Sequence, residues 1–383
     1  MISASRSGFS TLSGSVSVSN RRSQGQIQLV RGPRWRAELT GPATTPPVLA
    51  GMQVLVGTGK STLEVLDARQ GATRPVTFPD TVAEFKSAPV LFQNRAYVVI
   101  EDSLAAVDLT TRSRLWSWQG SLTGTLWIQE HDLIQGTQLI VAGSAMEGLA
   151  ILGADANGRV SRYPFKHEGE LSGAPAADHS SNRTTLYLPY GNELVVAEAT
   201  TATQQSGPQV LYTLRTRGDL VGRPTKSMVG PAKRPVMLIG DTSGLVIAVD
   251  CDPNTPDTQR LIGSWPIDGT LPSTPQLEGR TAYVTSGEGR LYALDLDAPG
   301  ELRWRFPTQE TFGQLPGEPA VGRNGIYVAS STGILLCIDK ATGRERWRCD
   351  LGGPTSGGVI AGNGMVYVGM RSSHLLGLDE GAE

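Results

Sequence analysis

Cysteine is scarce. The 383 residues hold three, Cys251, Cys337 and Cys349. An odd number with none in the first half argues against a disulfide framework, and Cys337, inside an apolar run, reads as a small core residue. Long hydrophobic stretches are missing too: nothing approaches the roughly 18 apolar residues of a membrane-spanning helix, so no direct membrane insertion is expected. One-sided charge is also missing. The formal net charge is −2 with acids and bases intermixed, so there is no basic stripe of the kind that binds nucleic acid. The four histidines, His131, His167, His179 and His374, are scattered without metal-ligand spacing. The first 24 residues are Ser-rich and carry Arg6, Arg21 and Arg22, but Val16 and Val18 alternate with Ser, which leaves no apolar core of about 7–15 residues for a signal peptide. As it stands the chain reads as cytoplasmic, and as periplasmic if its N-terminus is truncated.

Repetition is abundant. Ile326-Tyr327-Val328, Ser331-Thr332-Gly333, Ile334 to Asp339, Gly343 and Trp347 restate Ala282-Tyr283-Val284, Gly287-Glu288-Gly289, Leu291 to Asp295, Gly300 and Trp304. A period of roughly 40–50 residues signals a solenoid, propeller or array. Each unit holds four short runs. The first follows a proline, as in Ala88-Pro89-Val90-Leu91; the second carries Tyr and Val; the third ends in an acid; the fourth is built on Trp or Tyr. Short β-rich runs bounded by Gly, Asn, Asp and Ser are strands in hairpins, and four antiparallel strands make one propeller blade. The acid is expected to cap the following turn with its carboxylate, a glycine such as Gly343 to supply positive φ, and the Trp to lie between blades with its N–H on a backbone acceptor.

The acids fall at Asp67, Asp108, Asp155, Glu198, Asp250, Asp295, Asp339 and Asp379. Eight units predict an all-β fold, an eight-bladed β-propeller of four-stranded antiparallel blades. Tyr163 and Tyr212 replace Trp in units three and four, and Trp265 of unit five is delayed by the insert Asp252 to Asp257. The last unit ends before a fourth strand, while Trp35 sits in a strand with no unit ahead of it. An N-terminal strand closing the last blade is the economical reading, since it removes an open sheet edge. Residues 33–383 then form a single propeller domain, and residues 1–32 a separate segment, partly disordered or a partial blade containing Gln26 to Val30.

Three motifs invite chemistry. Gly57-Thr58-Gly59-Lys60-Ser61-Thr62 imitates a phosphate loop, but Val54 stands where the motif needs Gly, and a strand pattern follows where it needs a helix. Asp250-Cys251-Asp252-Pro253-Asn254 imitates a calcium loop, with Thr255 and Leu261 where Gly and Glu belong. Asn182-Arg183-Thr184 is a glycosylation pattern. No Gly-x-Ser-x-Gly elbow occurs.

The Tyr-Val, Gly-x-Gly, Leu-Tyr-Ala-Leu-Asp and Gly-Glu-x-x-Trp elements, clearest from Tyr283 to Trp304 and from Ile326 to Trp347, resemble the pyrroloquinoline-quinone-like propeller repeat family. The resemblance covers most of residues 40–383. It implies one of two groups. Quinoprotein dehydrogenases hold a quinone and calcium at the propeller axis and have adjacent cysteines, which this sequence does not contain. The other group has lost the cofactor and uses the propeller as a binding platform; it includes the lipoprotein propeller of the outer-membrane assembly machine and propellers attached to bacterial kinases. The resemblance therefore points to a monomeric, non-enzymatic interaction scaffold with a protein partner and with no catalytic residue, cofactor or metal assigned. A small-ligand sensor using the central funnel is the first alternative, and a quinone-dependent dehydrogenase the second.

Overall fold

The computed structural model describes residues 2–4, 12–14, 32–78, 83–130, 137–144, 148–155, 160–163, 165, 167–180, 183–199, 207–307 and 313–381. Apart from a short pairing of Ile2–Ala4 with Leu12–Gly14, and one 3-10 turn at Asp257–Gln259, the elements are strands of four-stranded antiparallel sheets. The rest of the N-terminal segment, including Gln26 to Val30, lies outside the described residues, as do His131 and Asn182.

Seven sheets are blades built from four consecutive strands each. Their third strands are Thr62–Asp67, Ser103–Asp108, Gly148–Asp155, Glu193–Ala199, Leu245–Asp250, Leu291–Asp295 and Ile334–Ile338, in blades 1 to 7. The expectation of an eight-bladed propeller is thus corrected to seven contiguous blades. The unit that ends at Asp379 is not a blade by itself. It supplies Thr355–Gly362, Met365–Met370 and His374–Asp379, and Trp35–Glu38 pairs with His374–Asp379 to complete a composite sheet. The register sets Trp35 opposite Gly377, and the Arg34 N–H donates to the Gly377 carbonyl at 2.7 Å.

Side-chain alternation explains the core. The second and third strands bury both faces, one against each neighbouring sheet, so they read as near-continuous apolar runs, while the outer strands alternate between buried and exposed residues. The hydrophobic clusters lie between sheets and run round the ring. One joins blades 1 and 2 through Leu55 and Val98, another joins blade 7 to the composite sheet through Cys337 and Val368, and a third joins the composite sheet to blade 1 through Tyr367 and Val54.

Within a sheet the repeated residues stack across three strands. Tyr97, Ala106 and Trp116 are register partners; so are Tyr283, Ala293 and Trp304, Tyr327, Cys337 and Trp347, and Tyr367, Gly377 and Trp35. The small residue in the middle lets the rings approach over it, with centroids 6.0, 5.7, 5.7 and 5.9 Å apart respectively. Such offset pairs contribute about 0.5–1.5 kcal/mol beyond their buried area.

Between blades the indole locks onto the next acid turn. Trp304 Nε1 donates to the Lys340 carbonyl at 2.8 Å, Trp265 Nε1 to Asp295 at 3.2 Å and Trp35 Nε1 to Ala68 at 3.3 Å. Tyr212 does the same work with its hydroxyl, on the Asp250 carbonyl at 3.4 Å. Trp265 is not the register equivalent of the other tryptophans. Gly263 holds that position, opposite Ala248, and Trp265 faces Val246; the bulge after Ala248 is shared with the other blades, so Trp265 simply lies two residues further along its strand.

The acids cap their turns. Asp108 Oδ1 accepts the Thr110 and Thr111 N–H groups, both at 2.8 Å, and Asp339 Oδ1 accepts from the Thr342 N–H and hydroxyl, both at 2.8 Å. The phosphate-loop imitation is a hairpin joining Gln53–Thr58 to Thr62–Asp67. The calcium-loop imitation is filled by protein donors. Arg234 pairs with Asp250 Oδ2 at 2.6 Å, Thr255 donates to the same oxygen at 2.8 Å, and Arg260 donates to the Asp252 and Pro253 carbonyls.

Candidate functional site at the propeller axis

A proline opens the first run of most units, and its consequence is spatial. Pro offers no N–H to a ladder and pushes the preceding residue towards extended backbone. The residues before Pro89, Pro175, Pro224, Pro275 and Pro319 are Ala88, Ala174, Arg223, Thr274 and Glu318. All five line a cavity of about 920 Å³ where the first strands of the blades converge. Small and aliphatic residues make up most of its wall, among them Ala88, Ala174, Ala176 and Ala177, and the charged groups are Lys86, Arg223, Lys226 and Glu318.

Arg223 is positioned by an irregularity. The strand Leu220–Val229 slips register between Val221 and Thr225, which takes Gly222, Arg223 and Pro224 out of the ladder. Bulges of this kind re-aim side chains. Gly222 has φ +73°, and a Cβ there would stand 2.7 Å from the Thr274 nitrogen of the next blade. The Arg223 N–H donates to Thr274 Oγ1 at 3.0 Å, and Thr225 Oγ1 to the Pro275 carbonyl at 3.3 Å, so blades 5 and 6 clamp the bulge. The guanidinium reaches past the small residues of blade 4 to the Leu126 carbonyl of blade 3, at 3.4 Å. Its Nε is buried without an acceptor.

The electrostatics single out the same residue. Lys86 pairs with Asp102 at 3.0 Å and donates to the Leu122 carbonyl at 2.8 Å. Lys226 pairs with Asp178. Glu318 accepts from Gln276 Nε2 at 2.9 Å. Arg223 has no carboxylate within ion-pair distance among the described residues. Burial pulls its proton affinity below the ordinary arginine value, with the Glu318 charge acting in the opposite direction.

No residue of this cavity stands out in the sequence as a site residue. Arg223 and Glu318 were legible only as charged exceptions at the pre-proline position of the repeat. The histidines are not brought together. His167 stacks on Tyr190 at 4.2 Å, and His374 Nδ1 contacts the Ser372 carbonyl at 2.6 Å. None of the three cysteines is in a disulfide, and burial raises the pKa of the Cys251 thiol to about 11.

A quinone with its calcium does not fit the axis. Calcium takes 6–8 oxygen ligands; among the described residues Glu318 is the one carboxylate on the cavity wall, no aromatic ring lines it, and no group of three His, Cys, Asp or Glu residues suited to a metal occurs. No step through such a group is derived.

Four-stranded sheets around an axial cavity, with Tyr-small-Trp stacks and acid-capped turns, define a propeller of the quinoprotein-like repeat class. The chain belongs to the family whose model is described as outer membrane protein assembly factor BamB, which matches residues 32–298 and 296–382. It is similar to the outer membrane protein assembly factor BamB of Nitrosomonas eutropha, 34% identical over 97 residues, which is 25% of this chain and 24% of that protein. It is also similar to the serine/threonine-protein kinase AfsK of Streptomyces griseus, 33% identical over 104 residues, 26% of this chain and 12% of the kinase. These alignments span about a quarter or less of the relatives' length. Among solved structures, Sqt1 of Saccharomyces cerevisiae shares the fold with a TM-score of 0.67 at 12% identity, covering 90% of this chain and 98% of that one.

Proposed function

We propose that this chain is a non-enzymatic propeller platform that holds a protein partner during assembly of outer-membrane proteins, working as a single domain of residues 33–383 on the periplasmic side of the envelope. The observation that carries this reading is the family match across nearly the whole propeller. The physical properties of the ring suit the role. Blades locked by Trp and Tyr onto the next blade's turn give a rigid body, and rigid bodies bind without a large ordering cost. The outer strand Gln209–Arg215 of blade 4 exposes Val210 and Leu211, and the outer strand of blade 5 exposes Leu261. Outer strands offer unpaired backbone groups to which a partner's strand can add.

Deleting the gene in its native cell and quantifying folded outer-membrane β-barrel proteins tests the role. Lower barrel levels, restored by re-expressing the chain and not by a V210D/L211K variant that still folds, are expected. Unchanged levels would remove the proposal.

A further inference from the structure

We propose that the axial cavity is a binding site for a carboxylate, with Arg223 as its anchor. The inference goes beyond the platform reading and does not depend on it. A half-buried cation with no carboxylate at ion-pair distance among the described residues is costly, and a wall of small and aliphatic residues gives no packing reason for one. The chain nevertheless builds Arg223 into a clamped three-residue bulge beside Gly222. It engages the other two cations of the wall with aspartates and leaves the Arg223 Nε without an acceptor. A planar carboxylate is the acceptor that matches a guanidinium fork. The cavity volume, about 920 Å³, falls in the range of small-molecule sites, about 300–1,000 Å³. The small residues around the guanidinium leave it room. Glu318 is the opposing charge on the wall, and Gln276 holds its carboxylate, so an incoming anion meets one repulsive group and one unpaired attractive one.

The carboxylate can belong to a free organic acid or to an acidic side chain of a peptide. Calorimetric titration of the full chain separates them, using succinate on one side and a blocked tripeptide with one central glutamate on the other. Succinamide and the glutamine tripeptide are the uncharged controls. Binding of either acid but not its control supports the site and names the source. R223M is expected to weaken that binding about tenfold or more, and R223K to keep part of it. Because it removes a half-buried charge with no carboxylate at ion-pair distance among the described residues, R223M is expected to melt no lower than the wild type. E318Q is expected to tighten binding severalfold, and it decides the matter if R223M does not fold. Failure of both acids to bind the wild type, equal binding of the controls, or affinity unmoved by R223M in folded protein or by E318Q would overturn the proposal.

Discussion

Trp304 of blade 6 stands on Gly343 of blade 7: the indole N–H reaches the Lys340 carbonyl at 2.8 Å, and a Cβ on Gly343 would lie 2.6 Å from the ring. Trp35 stands on Gly71 of blade 1 in the same way, at 2.5 Å. The glycine of the acid turn therefore answers two demands, positive φ and an aromatic ring from the preceding sheet.

The two demands are separable by substitution. Gly352→Ala adds a Cβ at φ +76° with nothing within 4 Å, so it is expected to cost about 1–2 kcal/mol for the backbone alone. Gly343→Ala meets φ +66° and the ring together, and overpacking adds about 1–3 kcal/mol. Denaturant titration of both variants is expected to rank Gly343→Ala clearly lower. Equal losses would mean that the Trp304 contact does not constrain the turn.

The Tyr-small-Trp stack carries its own expectation. Ala293 lies between Tyr283 and Trp304 in register, and Ala293→Val pushes branched carbons between rings whose centroids are 5.7 Å apart. A loss of about 1–3 kcal/mol is expected, together with a changed near-ultraviolet circular dichroism of Trp304. Val196 already occupies the equivalent place between Tyr187 and Tyr212, so Val196→Ala is expected to cost less than the about 2–5 kcal/mol typical of large aliphatic deletions.

Arg260 lies 3.5 Å over the ring of Tyr212 and ties down the insert through Asp252, Pro253 and Asp257. Arg260→Met keeps the stem and removes the donors. It is expected to loosen residues 252–260, seen as faster proteolysis there, and to cost about 1–3 kcal/mol. Unchanged cleavage would show the insert to be held otherwise.

The turn acids respond to pH. The Thr111 N–H holds the Asp108 carboxyl below its ordinary value of 3.8, and the Thr342 hydroxyl, then its N–H, does the same for Asp339. Folded values below the unfolded one mean that the stabilisation is present above the unfolded pKa and is lost as pH falls through the folded one, hence below 3.8. Carboxyl NMR titration is expected to show both groups low. Thr342→Ala should raise Asp339 towards 3.8, while Thr111→Ala should move Asp108 less, because for Asp108 the larger cause is the backbone N–H that the substitution keeps.

How much could be read beforehand follows from the range of the interactions. The acid turns were legible because Asp339 and its donors sit within three residues of each other. The strand order was legible because Tyr-Val and Leu-Tyr-Ala-Leu-Asp recur at one period. Trp265 departs from the period because the insert Asp252 to Asp257 lengthens the return to the fourth strand, which leaves Gly263 opposite Ala248 and Trp265 two residues further on. The composite sheet differs from the seven contiguous blades because its fourth strand comes from the opposite end of the chain. Arg223 stayed hidden for a similar reason. Its meaning depends on first strands from different blades meeting at one axis, while locally it is only a charged residue before a proline.

Ring closure by the strand Trp35–Glu38 is the claim on which the rigid platform rests, and amide hydrogen exchange tests it most directly. The segment His374–Asp379, paired with that strand, is compared in the full chain and in a chain beginning at Thr40. Loss of protection at His374–Asp379 by about tenfold or more, alongside a lower melting temperature, is expected. Protection unchanged by removal of Trp35 would contradict closure.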